Sequence, residues 1–265
     1  MKKLASKVAI VTGAGGVGSG RATALRFARE GAAVVASDIN EEGGAQTVRL
    51  IDADGGRALF LPCDVRDEAH ARDLIACAEK QFGPLDILVN AASPTDLFRP
   101  DKPLEFWNEI IATDLLGALW LTRHAIEAMR CGGKGGAIVH FSSTSAFAHG
   151  RVKGMGSPAY EVAKAGVARL ATALGFLGPQ ENIRVNCIAP DWIAVPGPLD
   201  YWNSLSPEER RRDGVPQRLT TPDEIAEQVL LLAIDETLHG RVMVWWSDDA
   251  PKLIAQGDPG YAILE

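Results

Sequence analysis

Short apolar runs alternate along the chain with longer stretches in which apolar residues recur every three or four positions. The apolar runs are candidate strands: Val8–Val11, Ala33–Ser37, Ala58–Cys63, Ile87–Asn90, Ala137–Ser142, Ile183–Ile188 and Arg241–Trp245. They are apolar almost throughout, which is typical of strands buried on both faces of a parallel sheet. The alternation therefore predicts an α/β fold whose sheet is covered by helices on both sides.

The stretches between the strands predict amphipathic helices. Glu68–Phe82 carries apolar residues at helical spacing, and Thr221-Pro222-Asp223-Glu224 combines a capping box with proline at the first helical position. No repeat, low-complexity tract or linker divides the chain, so we expect one domain over residues 1–265. Asp191–Pro216 breaks the alternation and is rich in proline and aromatic residues. Because it leaves the carboxyl end of a strand, a lid is favoured over a plain surface insertion.

Polar residues follow the ends of the candidate strands. They are a glycine turn after the first strand, Asp38, Asp64, Asn90, Ser142-Ser143 and Pro190-Asp191. In an open parallel sheet these ends meet at one edge, where ligands bind in the crevice at which the strand order reverses. The repeated placement predicts one binding site assembled from several loops.

The turn Thr12–Gly20 lies between a strand and a helix, which is an arrangement that binds a pyrophosphate at the helix N-terminus. The candidate cofactor-binding glycines are Gly13, Gly15, Gly18 and Gly20. Asp38 is placed to accept hydrogen bonds from both hydroxyls of an adenosine ribose and to repel a 2′-phosphate. This predicts NAD rather than NADP as the cofactor; the alternative role for Asp38 is to cap the helix that follows.

Tyr160 and Lys164 are spaced to share one face of a helix, one turn apart. A phenol with a pKa of about 10 is a poor base near neutrality. An ammonium one turn away favours the phenolate and lowers that pKa, so the pair can act as acid and base in a hydride-transfer reaction. A surface pair would have the same spacing, but beside a dinucleotide-binding turn the catalytic interpretation is favoured.

These residues, in this order, resemble the single-domain type of the short-chain dehydrogenase/reductase family from about Lys7 to Asp248. The resemblance rests on the glycine turn, Asp38, Asp64, Asn90-Ala91-Ala92, Ser143, Tyr160 with Lys164, Asn186 and Pro190. It implies a Rossmann, doubly wound parallel sheet of about seven strands. It also implies a homo-oligomer, a tetramer or a dimer, built partly on the helices Leu104–Met129 and Tyr160–Leu177.

The resemblance also implies roles for individual residues. Tyr160 would be the general acid/base, Lys164 would in addition bind the nicotinamide ribose, and Ser143 would hold the substrate oxygen. Asp64 would contact the adenine, and the Asn90–Ala92 backbone would lie against the adenosine side of the cofactor. The further implied cofactor contacts are Val65, Ala91, Pro190 and Ile193. For Ser143, the alternative is a hydroxyl that merely satisfies a turn.

Asp114 is the most consequential departure from the family pattern. It stands where the family has an asparagine that holds a proton-relay water near the catalytic lysine. A carboxylate there favours the Lys164 ammonium and partly offsets its effect on Tyr160. We therefore predict a working relay with an altered pH dependence; the alternative is that Asp114 faces a helix partner at a subunit contact.

Three further departures surround the expected cofactor. The glycine turn is one residue longer than usual with Ser19 in place of an aliphatic residue, and the family's Asn-Asn-Ala-Gly motif is Asn90-Ala91-Ala92-Ser93. After the sixth strand, Pro190-Asp191 replaces Pro-Gly, and Val195 stands in place of a threonine that contacts the nicotinamide end. Losing one neutral hydrogen bond there costs about 0.5–1.5 kcal/mol, which would weaken cofactor binding without abolishing it.

Composition and net charge limit the classes of partner that the chain is expected to bind. The 265 residues are 46% hydrophobic and carry a net charge of −7, so nothing favours nucleic acid or an acidic membrane surface as a partner. The 4 cysteines have no CxxC or metal-ligand spacing, so we expect no metal and no disulfide framework, and a reducing cytoplasm fits. No apolar run reaches the length of a signal-peptide core or a membrane span.

Together these features predict an NAD-dependent oxidoreductase that transfers a hydride between nicotinamide and a secondary alcohol or ketone. The substrate pocket is expected from Thr95–Phe98, Phe147–Met155 and Trp192–Leu205, whose apolar character suits aromatic or alicyclic substrates. The alternative is a dinucleotide-binding regulatory or structural protein with weak or lost catalysis; Asp38 disfavours NADP-dependent reduction. The tail after Asp248 is expected either to pack across a neighbouring subunit or to form a plain surface tail.

Overall fold

The computed structural model describes residues 2–94, 103–147, 157–255 and 257. A sheet in the order β3-β2-β1-β4-β5-β6-β7-β8 forms its centre. The strands are β1 Val8–Thr12, β2 Ala33–Asp38, β3 Arg57–Pro62, β4 Ile87–Asn90, β5 Gly136–Phe141, β6 Ile183–Pro190, β7 Val242–Trp245 and β8 Lys252–Leu253. Strands β1 to β7 pair in parallel, which confirms the Rossmann-like fold predicted from the sequence. The strand order reverses between β1 and β4, so the ligand crevice lies at their carboxyl ends.

The eighth strand was not predicted. It is antiparallel to β7, and Ile254 N donates to Val242 O at 2.9 Å. The Arg241 guanidinium adds a hydrogen bond to the Ile254 carbonyl at 2.9 Å. As far as residue 255, the tail therefore covers the edge of its own sheet; most of the rest of the tail lies outside the described residues. A strand of two residues is too short for alternation to signal it.

Helices cover both faces of the sheet. They are α1 Ser19–Arg29, α2 Glu41–Ala53, α3 Glu68–Phe82, α4 Leu104–Ile110, α5 Ala118–Gly132, α6 Pro158–Ala173, α7 Leu177–Glu181, α8 Pro198–Ser204, α9 Pro207–Asp213 and α10 Pro222–Ile234. One core contains Leu74, Leu121 and Val185, and the core of the opposite face contains Phe27 and Ile225. Within the described ranges, no helix has both the length and the apolarity needed to cross a membrane.

Local sequence signals agree with the observed helix ends. Helix α3 has the predicted bounds Glu68–Phe82, and Thr221 caps α10 through the predicted capping box with Glu224. The predicted helix Leu104–Met129 is interrupted, because a π-helical segment, Ile111–Gly117, joins α4 to α5. The π-helical segment matters for the site described below.

Two polar residues of β6 hold the carboxyl end of α10. Arg184 donates to the carbonyls of Leu232, at 3.2 Å, and Ala233, at 2.6 Å. Asn186 donates to Leu232 O at 3.2 Å and to Leu238 O at 2.8 Å. These contacts satisfy carbonyls that a helix end leaves unpaired. Asn186, one of the residues that carry the resemblance, therefore holds the fold together at this helix end.

Candidate active site

The glycine turn after β1 packs closely against neighbouring backbone. Gly13 has a φ of +69°, and a Cβ there would lie 2.6 Å from Ala91 O. A Cβ on Gly20 would collide with the Gly13 carbonyl. Thr12 Oγ1 accepts hydrogen bonds from Ala91 N at 3.1 Å and Ala92 N at 3.2 Å. These contacts fix the turn against the loop after β4, and glycine is required at both positions.

The N-terminus of α1 fits the pyrophosphate of a dinucleotide. Gly18 is its N-cap, no side chain caps it, and no acidic residue lies in its first turn. Ser19 Oγ is buried there and makes no hydrogen bond within the described residues. A Cβ on Gly16 would meet only Gly18 N, at 3.9 Å, so the turn is open on that side. A helix N-terminus with unpaired donors and an open approach is a binding site for a phosphate.

Asp38 at the end of β2 reaches the glycine turn. Its Oδ2 accepts from Gly15 N at 2.8 Å and its Oδ1 from Asn40 N at 2.9 Å. A Cβ on Gly15 would lie 2.8 Å from Asp38 Cγ, so this glycine allows the carboxylate to approach. The cap of α2 is Asn40, whose side chain accepts from Gly43 N at 3.0 Å. Asp38 is therefore not the capping residue that the alternative interpretation proposed.

Asp64 and Val65 follow β3 on the expected adenine side. The Arg66 guanidinium donates hydrogen bonds to the Asp64 carboxylate, from Nε to Oδ1 at 2.8 Å and from Nη2 to Oδ2 at 2.7 Å. These hydrogen bonds hold the pKa of Asp64 below its usual value. Arg66 also reaches Glu109 of α4 at 3.3 Å. Sequence reasoning missed Arg66, although a cation two residues after a candidate binding carboxylate is a signal that could have identified it.

Tyr160 and Lys164 lie on α6 and meet Ser143 after β5. The Lys164 Nζ lies 5.3 Å from the centre of the Tyr160 ring and donates to Phe141 O at 3.1 Å. Ser143 Oγ accepts from Ser145 N at 3.2 Å and from Ser145 Oγ at 3.1 Å, and the Ser143 side chain lies near enough to Tyr160 to lower the pKa of its phenol. The three side chains of the predicted catalytic group therefore converge at the crevice.

Asp114 joins this group directly. Its Oδ1 lies 3.2 Å from Lys164 Nζ, and its side chain is completely buried. It lies in the π-helical segment, and such segments are frequent at functional sites. Gly117 lets that segment approach the loop after β3, because a Cβ there would lie 2.8 Å from Val65 O. Asp114 thus forms a buried ion pair with the lysine that is predicted to be catalytic.

The pKa values of the three groups are coupled. Burial raises the pKa of Tyr160; Lys164 and the hydrogen bond from Ser143 lower it, and Asp114 raises it further. The net direction is upward, and burial, which sequence reasoning left out, is the largest cause. Burial alone would lower the pKa of Lys164, but Asp114 and Tyr160 outweigh it and raise that pKa. Burial raises the pKa of Asp114 against the opposing pull of Lys164.

A small cavity with both polar and apolar lining borders Asp114 and Lys164. It has a volume of about 10 Å³, enough for one water molecule, and its lining includes Asn90, Asp114 and Lys164. Asn90 Nδ2 lies 3.1 Å from Nδ1 of His140, whose Nε2 lies 3.3 Å from Thr122 Oγ1. Burial lowers the pKa of His140 to about 3, so this ring is neutral. Sequence reasoning missed His140, because one polar residue in an apolar strand carries no local signal.

The loop after β6 borders the other side of the crevice. Pro190 ends β6, and Asp191 accepts from the Thr144 hydroxyl at 3.1 Å and from Ser247 N at 3.4 Å. Val195 faces the glycine turn, since its Cγ1 would lie 3.6 Å from a Cβ on Gly18. The Asp191 carboxylate thus links two loops, a role that its charge alone did not reveal.

Ile193 lies in the same loop and pairs with Thr220 in an isolated parallel bridge. The predicted pocket segment Thr95–Phe98 lies outside the described residues, as does residue range 148–155 of the second segment. Phe147 is described and packs against the core. Across the described ranges, no group of His, Cys, Asp and Glu side chains is arranged to hold a metal ion.

Comparison with known proteins matches this architecture to one family. The family model for short chain dehydrogenases matches residues 7–198. The chain belongs to the short-chain dehydrogenase family. Members of this family are oxidoreductases that bind a nicotinamide dinucleotide, NAD or NADP. The glycine turn and the open N-terminus of α1 fit such a cofactor.

Several members of this family are similar over most of their length. Cis-4-hydroxycyclohexanecarboxylate dehydrogenase of Sinomonas cyclohexanicum is 37% identical over 87% of this chain and 90% of its own. Cyclopentanol dehydrogenase of a Comamonas species is 36% identical over 92% of this chain and 97% of its own. A short-chain type dehydrogenase/reductase from Mycobacterium marinum superposes with a TM-score of 0.78 at 27% identity, covering 91% of this chain and 94% of its own.

Proposed function

We propose that this protein is an NAD-dependent dehydrogenase of secondary alcohols, with alicyclic alcohols as its foremost substrate class and the corresponding ketones as products. The convergence of Ser143, Tyr160 and Lys164 beside the glycine turn carries the proposal. Two similar members of the family are named for ring alcohols, which supports an alicyclic substrate.

Each residue of the proposed site has a separate role in the reaction. When bound, the nicotinamide dinucleotide accepts or gives the hydride. Ser143 positions the substrate oxygen by a hydrogen bond, and Tyr160 takes the hydroxyl proton during oxidation or returns it during reduction. The Lys164 ammonium stabilises the phenolate that this step requires, and Asp114 moderates that effect.

The same site is proposed to hold the cofactor through the residues that the sequence analysis singled out. The pyrophosphate would lie at the glycine turn, and the adenine would lie by Asp64, Val65 and Ala91. Pro190 and Ile193 would border the nicotinamide end. Asn90 would contribute its backbone to the cofactor side while its side chain contacts His140.

Asp38 supports the choice of NAD. Its carboxylate lies within the glycine turn, where a 2′-phosphate would meet its negative charge. The Arg21 guanidinium is engaged by Thr47 Oγ1 at 2.9 Å and by the carbonyls of Gly15 and Gly43, both at 3.0 Å. The Nε and Nη2 donors of this arginine are therefore occupied in holding α2 on the turn.

Replacing Asp38 with serine is expected to reverse the cofactor preference. Removal of the charge-assisted hydrogen bonds to the ribose should lower kcat/KM with NAD by about ten- to a hundredfold, and activity with NADP should rise. Steady-state kinetics with both cofactors measures this. Asp52→Ser is the matched control, because the Asp52 side chain is exposed on α2. A variant that still rejects NADP would contradict the proposed role of Asp38.

A substrate screen tests the proposed function itself. Cyclopentanol, substituted cyclohexanols, open-chain secondary alcohols and their ketones are incubated with NAD(H) and NADP(H), and the absorbance of the reduced nicotinamide is followed. Turnover of ring alcohols with NAD supports the proposal. Tight NADH binding without turnover of any alcohol or ketone would favour the alternative, a dinucleotide-binding member of the family with lost catalysis.

We also propose that the protein is a homo-oligomer, a tetramer or a dimer. The π-helical segment, α5, α6 and the residue before α7 carry apolar side chains exposed in the single chain: Leu116, Leu119, Val162 and Phe176. A second copy of the chain would cover them.

We further propose that the chain forms a single domain and that the protein is cytoplasmic. Burial raises the pKa of the Cys63 thiol to about 11, so this cysteine stays protonated and unreactive at neutral pH.

Val162→Glu is expected to break the oligomer into smaller species. Val162 is 61% exposed in the single chain, so the substitution leaves the core intact and would act on the proposed subunit contact. Sedimentation velocity of wild type and variant measures the assembly state. Leu50→Glu is the matched control, because Leu50 is an exposed apolar residue on α2. An unchanged sedimentation coefficient for Val162→Glu would contradict this interface.

A further inference from the structure

Both ends of the segment Asp191–Pro216 meet one short loop after β7. This segment, the lid segment, leaves the sheet at β6 and returns before α10, and it contains α8 and α9. The loop, here called the clamp loop, is Ser247–Asp248. Tyr201 of α8 stacks on Trp192 with ring centres 5.9 Å apart, so the lid segment also folds on its own first residues.

Ser247 of the clamp loop holds the start of the lid segment. Ser247 N donates to Asp191 Oδ2 at 3.4 Å, and Ser247 Oγ donates to Trp192 O at 3.2 Å. Asp191 N donates to Trp245 O at 2.9 Å, which continues the pairing of β6 with β7. Ser247 is completely buried, so water does not compete for these bonds.

Asp248 holds the residues that follow the lid segment. Its carboxylate accepts from Gln217 N at 3.0 and 3.1 Å, and from Arg218 N at 3.1 Å. Arg218 Nε donates back to Ser247 O at 2.7 Å. One carboxylate that accepts from two successive backbone N–H groups fixes the direction in which the chain leaves the lid segment.

The two ends are also joined to each other and to the catalytic loop. Thr220 N donates to Trp192 O at 3.0 Å, and Ala194 N donates to Thr220 O at 2.8 Å. The other oxygen of Asp191 accepts from Thr144, the residue after Ser143, at 3.1 Å. A displacement at either end of the lid segment would therefore act on Thr144, the neighbour of Ser143, which is proposed to hold the substrate oxygen.

We propose that Ser247 and Asp248, together with Asp191, are positioning residues that hold both hinges of the lid segment and so keep the substrate pocket formed before substrate arrives. The inference rests on the proposed function for its kinetic consequence only. When the clamp is lost, the binding-competent arrangement is populated for a smaller fraction of time, and apparent affinity falls by that fraction. KM for the alcohol should rise while kcat changes little.

Asp248→Ala tests the clamp, because Asp248 is exposed and its removal leaves no cavity. Trypsin reports the state of the lid segment directly, since α9 carries Arg211 and Arg212 with side chains 60% and 69% exposed. Cleavage there requires local opening, and its rate follows the open population. We expect cleavage about ten times faster than in wild type, because two backbone N–H groups lose a charged acceptor.

The same variant should raise KM for the alcohol about three- to tenfold with kcat within twofold of wild type. Asp248→Asn keeps an acceptor oxygen and should recover much of the resistance to trypsin. Asp249→Ala is the matched control, because the Asp249 side chain makes no hydrogen bond or ion pair among the described residues. Mass spectrometry of the fragments locates the cut.

Equal cleavage rates in Asp248→Ala, Asp249→Ala and wild type would overturn the clamp. A fall in kcat with an unchanged KM would overturn its positioning role. Faster cleavage in Asp248→Ala in a protein that oxidises no alcohol would support the clamp and contradict the proposed function, so the two failures are distinguishable.

Discussion

Tyr160→Phe is expected to lower kcat/KM for alcohol oxidation by about two to four orders of magnitude, which is the range that general acid–base catalysis contributes. The substitution removes one oxygen atom and leaves the ring that lies beside Lys164. No other side chain of the described site combines proximity to Ser143 with a hydroxyl that Lys164 can hold ionised. Stopped-flow and steady-state measurement of NADH formation checks this result.

Binding of the cofactor separates the catalytic role of Tyr160 from a structural one. The glycine turn and Asp38 lie on other elements, so NADH affinity, measured by fluorescence, should stay within a few-fold of wild type. Thermal unfolding of the variant should also remain close to wild type, because Tyr160 is only half-buried. Oxidation at the wild-type rate in Tyr160→Phe would show that another group takes the proton.

The sheet and most of its helices could be predicted from the sequence because their signals are local. Continuous apolar runs marked strands β1 to β7 to within one or two residues, and spacing with caps marked α3 and α10. The gathering of Asp38, Ser143 and Pro190 at one edge follows from parallel pairing alone. Each of these predictions needs only the pattern of neighbouring residues and the geometry of a parallel sheet.

What could not be predicted depends on contacts between distant segments. The resemblance implied that Asp114 lies near Lys164, but their direct contact depends on the packing of the π-helical segment against α6, which the neighbours of neither residue indicate. The hydrogen bonds of His140 to Asn90 and Thr122 join two strands and a helix. The net direction of the Tyr160 pKa depends on burial, which a sequence does not give for a single side chain.

Asp114→Asn is expected to move the acidic limb of the pH dependence of kcat/KM for oxidation to lower pH. Oxidation requires the phenolate of Tyr160, so activity falls as the pH drops below the pKa of Tyr160. The Asp114 carboxylate raises that pKa. Removing its charge lowers the pKa of Tyr160, and a larger fraction of phenolate is present at any pH on that limb. We expect activity at pH 7 to rise several-fold, with the nearly identical shape of asparagine preserving the cavity.

Two other titratable groups near Lys164 do not change charge over the pH range of this experiment. His140, with a pKa of about 3, and Cys187, whose pKa burial raises to about 12, both stay neutral between pH 5 and 10. Among the described residues, Tyr160, Lys164 and Asp114 are the coupled titratable groups from which we expect the profile to arise.

Stability distinguishes an electrostatic role of Asp114 from a packing role. Asp114→Ala removes the acceptor as well as the charge and leaves Lys164 buried without a partner carboxylate, which costs about 3–5 kcal/mol. Asp86→Asn is the matched control, because Asp86 pairs with Lys7 at 2.7 Å, at the opposite end of β4 from the crevice. That control should lose some stability and keep the wild-type pH profile.

The direction in which the limb moves decides between two accounts of the ion pair. A shift to lower pH means that Lys164 keeps its charge without Asp114 and that the carboxylate had been weakening its effect on Tyr160. A shift to higher pH would mean that burial neutralises Lys164 once its partner is gone, because burial lowers the pKa of that lysine. In that case Asp114 would be the group that keeps Lys164 charged. An unchanged acidic limb would show that Asp114 does not influence the proton transfer at Tyr160.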